Sequence, residues 1–145
     1  MVNKKYLLLL SVILIMNLLA CAPDMGGVVI LKPDESSHVY EAHEAVILKA
    51  IAIVFKEKSI GTNIRIDQKN LRVDSDYSES GDWRTKASAR VKRLNWKACE
   101  VILAVTTEKK TKTGWELRRL LQKAQYDTFF DVIELQIYEE MANVE

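Results

Sequence analysis

Near Gly61 the spacing of apolar residues changes from a helical repeat to a two-residue alternation, and this change constrains the chain most. Before it, Val46, Ile47, Ile51, Val54 and Phe55 recur at the intervals of a wide helical face. Glu41, Lys49, Lys56 and Glu57 mark the wet edge of the same helix. The spacing predicts a long helix from about His38 to Lys58, with Ser36 or Ser37 as N-cap and Asp34 and Glu35 beside the positive end of its dipole. Gly61 is the expected stop. Beyond it, Ile64 and Ile66 alternate with Arg65 and Asp67, and Leu71 and Val73 with Arg72 and Asp74. Gln68-Lys69-Asn70 is the connection between them, where Asn70 tolerates a left-handed conformation.

Two longer alternating runs follow a polar loop over 75–82. In Trp83 to Val91, the residues Trp83, Thr85, Ala87, Ala89 and Val91 point one way; Arg84, Lys86, Ser88, Arg90 and then Lys92 point the other. After a turn near Leu94-Asn95-Trp96-Lys97, Cys99, Val101, Leu103 and Val105 share one face of a fourth strand. Trp115 to Tyr126 carries Leu117, Leu120, Leu121 and Ala124 at helical spacing. A last helix, capped by Asp127 or Thr128, places Phe130, Ile133, Ile137 and Met141 in one stripe. Val28-Val29-Ile30-Leu31 is a further short strand candidate. The expected fold is therefore α+β: an antiparallel sheet of about four strands, with the long helix and the C-terminal helices on one face. The 145 residues allow one such domain, over 28–145.

The first 27 residues read differently. Asn3-Lys4-Lys5 precedes ten apolar residues, Leu7 to Met16, the length of a secretory h-region. Counted from Tyr6 to Ala22 the stretch reaches 17 residues, against about 20 for a helix crossing a bilayer. Pro23 and Asp24 follow it, rather than a basic stop-transfer cluster. Leu18-Leu19-Ala20-Cys21 resembles the lipobox of bacterial lipoproteins, with Leu19 where a smaller residue is commoner. The resemblance implies cleavage between Ala20 and Cys21, a diacylglyceryl thioether on the Cys21 thiol and acylation of its new amino group. It makes 1–20 a signal peptide and 21–27 a lipidated tether. It also places the protein in the cell envelope, on the outer membrane facing the periplasm rather than the inner membrane, since Ala22 and not an aspartate follows the cysteine. An acylated Cys21 cannot pair with Cys99, which reads as a packed thiol. The element order from about 28 to 141 is similar to the helix-grip domains of the lipoprotein C subunit of the outer-membrane β-barrel assembly machinery.

Charge and motifs set the functional expectation. Net charge is +1; removing Lys4 and Lys5 with the leader leaves 19 basic side chains against 20 acidic ones, too little clustered charge for nucleic acid. His38, Glu41, His43 and Glu44 are the one group suggestive of a metal, but histidines five apart do not share a helix face. No metal or other cofactor is expected. No phosphate loop or nucleophile motif is present, and Cys99 has no base placed beside it. The row Arg84, Lys86, Arg90 and Lys92 is the candidate partner-binding surface, unless Glu100 and Glu108 of the neighbouring strand neutralise it. Lys109, Lys110, Lys112, Arg118 and Arg119 gather further positive charge around one turn, suited to a wet loop or to anionic headgroups. The expectation is a non-catalytic envelope lipoprotein that binds a protein partner or serves assembly. The alternative is a lipid or small-molecule module with a pocket of more than about 300 Å³ between the long helix and the sheet.

Overall fold

The computed structural model describes residues 34–118 and 121–143. Ala20, Cys21, the tether 21–27, the strand candidate Val28–Leu31 and Arg119 lie outside them. The described elements are β1 (Glu35–Tyr40), α1 (Glu44–Glu57), β2 (Thr62–Asp67), β3 (Arg72–Asp76), β4 (Ser78–Ser80), β5 (Trp83–Arg93), β6 (Cys99–Thr111), β7 (Gly114–Arg118) and α2 (Lys123–Ala142). Among the described residues, seven antiparallel strands and two helices thus stand where about four strands and three helices were expected.

β5 and β6 form the spine. Eleven residues of each pair in register, from Trp83 opposite Lys109 to Arg93 opposite Cys99. The outer edge of β5 is shared by β3, opposite Ser88–Arg90, and β4, opposite Trp83–Thr85. The outer edge of β6 is shared by β1, opposite Cys99–Ala104, and β7, opposite Thr107–Thr111. β2 closes the far side against β3.

Three expectations change, each because strand pairing outweighed a local signal. Ser36 to Tyr40 do not open the first helix; their β-branched and aromatic residues cover the edge of β6 instead. Helix α1 therefore starts late, capped by His43, whose Nδ1 accepts from Ala45 N. Trp115 and Leu117, read as part of a helix, form β7, folded back by the turn at Lys112-Thr113 with Gly114 at φ 135°. The polar loop 75–82 contains the end of β3 and the whole of β4.

Both helices cover one face of the sheet. Ile47, Leu48, Ile51, Val54 and Phe55 of α1 and Tyr126, Phe130, Ile133 and Ile137 of α2 are buried against Val73, Ala87, Ala89, Val91, Cys99, Val101 and Leu103. Burying each large side chain contributes roughly 1.5–3 kcal/mol, so this face carries most of the stability. The buried Glu140 of α2 pairs with Lys49 of α1 and fixes the helices against each other. The other face of the sheet carries the alternate residues and is polar.

Candidate functional site

The basic row lies on that polar face, and its neighbours neutralise most of it. Register places Glu108 opposite Arg84 and Glu100 opposite Lys92, the arrangement in which the row loses its excess charge. Arg84 is ion-paired with Glu108 through Nη2, and its Nε donates to the same carboxylate oxygen. Its guanidinium also sits 4.2 Å from the Tyr77 ring centroid and 4.5 Å from that of Trp115. Tyr77 completes the group by donating its hydroxyl to Glu108 Oε1 at 2.8 Å. Lys86 Nζ lies 4.7 Å over the other part of this group, the Tyr77 ring. Arg90 donates to both oxygens of Glu35, at 3.0 Å each.

Sequence reasoning misses Tyr77, Trp115 and Glu35: Tyr77 joins β3 to β4 in a stretch that reads as a loop, Trp115 stands in a strand that reads as a helix, and Glu35 in a strand that reads as a cap. The second ladder was missed too. Arg65 grips Asp76 with two bonds of 2.8 and 2.9 Å, and Arg72 donates to Asp74 at 2.9 Å.

Electrostatics follow from this pairing. Burial pushes the Glu108 carboxyl up, but hydrogen bonds from Tyr77 and Arg84 outweigh it and hold the group below the usual carboxylate range. Tyr77 is raised, first by burial and then by its bond to Glu108. The hydrogen bond from Arg65, then that from Asn63, lowers Asp76. Beside these pairs lies an open trough of about 970 Å³, bordered by Arg65, Asp67, Arg72, Asp74, Tyr77 and Lys86. Cations and carboxylates alternate along it, so it offers a phosphate backbone no net field.

The remaining candidates are occupied by structure. His38 stacks on Phe130 with ring centroids 5.4 Å apart, and His43 caps α1. Among the described residues no group of three or more His, Cys, Asp or Glu is arranged to hold a metal. Cys99 is buried on the covered face, where burial and then the Glu44 charge push its thiol up, away from the reactive thiolate.

Between α1 and the sheet the core fills the middle. A cleft of about 350 Å³ lies at the start of α1, beside Glu44, Leu48, Lys69, Leu71 and Arg93. Another, of about 420 Å³, opens past the end of α1, bounded by Ile60, Trp83, Thr85, Val105, Leu121 and Phe129 among others. It is wide open to solvent and largely apolar.

No protein-family model matches this chain, and no curated protein matches it either. Among solved structures it is similar to a TBP-like protein from Parabacteroides distasonis, at 13% identity and a TM-score of 0.40. The match covers 78% of this chain and 96% of that one. A likeness of that degree carries nothing about function.

Proposed function

We propose that the mature chain is a lipid-anchored envelope protein with a non-catalytic role in protein binding or assembly. The observation that carries this reading is Leu18-Leu19-Ala20-Cys21, placed directly after a basic start and an apolar run of secretory length. Acyl chains on Cys21 hold the protein at the membrane, on the outer membrane facing the periplasm. A single myristoyl-sized chain gives only reversible binding, so several chains on one residue make the attachment permanent. Among the described residues no helix is long and apolar enough to cross a membrane. His38, His43 and Cys99 are engaged in stacking, capping and core packing, which favours binding over catalysis. Cells fed labelled palmitate are expected to label the wild-type protein and not Cys21→Ser. Cross-linking in intact cells is then expected to join the anchored protein to an envelope protein. Label retained by Cys21→Ser overturns the anchor, and an anchored protein that cross-links to nothing overturns the partner.

The apolar cleft favours a second reading, a site for a lipid or other small apolar molecule. Trp83 lines it, so titration with a fatty acid is expected to shift tryptophan emission and to lose that effect in Trp83→Phe. Emission that does not change with added fatty acid removes this reading.

A further inference from the structure

The turn between β5 and β6 exposes a tryptophan that the fold does not use. Trp96 is 82% exposed and Leu94, two residues before it, 46% exposed. The turn that carries them is pinned. Leu94 N and Asn95 N donate to Ala98 O at 2.9 and 3.2 Å. The Asn95 side-chain oxygen accepts from Lys97 N and Ala98 N, both at 2.8 Å. The ring is therefore held outward by an ordered turn. Lys97 Nζ sits 4.5 Å from the Trp96 ring centroid, so cation and ring project together. Arg93 at the base of the turn is ion-paired with Glu44. Lys69 of the β2–β3 turn borders the same cleft as Arg93, at the same end of the sheet.

An indole beside a leucine, with a lysine over its ring, has the chemistry of a bilayer interface. Tryptophan settles at headgroup level, and lysine keeps its stem against apolar surface while its ammonium meets anionic lipid. We propose that the β5–β6 tip, through Trp96, Leu94 and Lys97, is a second contact of this protein with the membrane surface, one containing anionic lipid.

The proposal rests on the reading of Cys21 as lipidated. Residues 22–33 separate Cys21 from Asp34, a contour of at most about 47 Å. From Asp34 the six residues of β1 run about 20 Å to Tyr40, opposite Cys99 at the base of the turn. That length of chain is enough for the tip to reach the surface that the acyl chains enter. Contact at the tip gives the anchored domain a fixed orientation, with the polar sheet face standing away from the bilayer plane and open to a partner.

The test uses the full acylated protein in vesicles of three parts phosphatidylethanolamine to one of phosphatidylglycerol, with and without bromine on the acyl chains. Acylation is first verified by intact mass; an unacylated wild-type protein overturns the reading of Cys21 and is recognised at this step. With acylation present, brominated lipid is expected to quench part of the tryptophan emission. That part is expected to vanish in Trp96→Phe, which keeps an apolar ring but contributes no emission at the exciting wavelength used for tryptophan. Trp96→Phe removes no internal contact that the fold needs, and its circular dichroism is expected to match wild type. Equal emission from brominated and plain vesicles overturns the proposal, as does quenching that persists unchanged in Trp96→Phe. A Trp96 that is shielded from aqueous iodide only when an envelope protein is added also overturns it, assigning the tip to a protein surface.

Discussion

A Cβ added to Gly61 would meet Ser75 Oγ at 2.1 Å and the backbone oxygen of Asp76 at 2.7 Å. The second atom cannot rotate away, so Gly61→Ala is expected to destabilise the fold by about 2–3 kcal/mol, read by urea denaturation. The glycine is there for close approach of the chain to β3. The helix stop is Ser59, which takes the left-handed conformation at φ 52° while Ile60 N bonds to Phe55 O at 3.1 Å and Ser59 N to Lys56 O at 3.2 Å. Ser59→Gly relieves that backbone and is expected to raise stability by up to about 1 kcal/mol in the same assay. At Glu108 the prediction concerns pH. A carboxyl whose folded pKa is depressed adds stability above its unfolded value, and loses it as pH falls through the folded value. Glu108→Gln is thus expected to cost about 1–2 kcal/mol at pH 7, because it also strands Arg84. The gap to wild type is expected to narrow below about pH 4. A gap that stays constant down to pH 3 contradicts this account of the pair.

Tyr126 does at the level of elements what no strand does. β1 begins opposite Ala104 and β7 ends opposite Thr107, leaving Val105 and Thr106 on the edge of β6 between them. The Tyr126 hydroxyl accepts from Val105 N at 3.1 Å and donates to Asp34 O at 2.6 Å, closing that gap from α2. Tyr126→Phe is expected to cost about 1–3 kcal/mol and to speed hydrogen exchange at the Val105 amide. This gap also explains what the sequence could and could not tell. The spine was legible: the alternation from Trp83 to Val91 and from Cys99 to Val105 runs long enough to leave one period, and the opposed charges of Arg84 and Glu108 followed from it. β1 and β7 were not, because five or six residues such as Ser36 to Tyr40 fit a helix start as well as a strand. Their state is decided by the vacant edges of β6, which lie some 60 residues away for one and across a hairpin for the other. The same misreading hid Glu35 and Trp115, the partners of Arg90 and Arg84. In the β2–β3 turn, Asn70 was the expected left-handed residue; Leu71 takes that role at φ 52°, while Asn70 binds Asp67 through both its backbone and its side chain.

The described domain presents a covered apolar face, a polar sheet face whose arginines Arg65, Arg72, Arg84 and Arg90 are ion-paired, and an exposed aromatic tip at Trp96. Surface ion pairs of this kind contribute little individually, so the polar face is free to vary its partners at small cost to the fold. The anchor proposed at Cys21 would set orientation, partner and compartment together. Intact mass of the protein extracted from membranes measures that residue directly. The expected result is a wild-type mass lacking residues 1–20 and increased by acyl chains, and a Cys21→Ser protein without them. A wild-type mass that retains the N-terminal 20 residues and carries no lipid would contradict it.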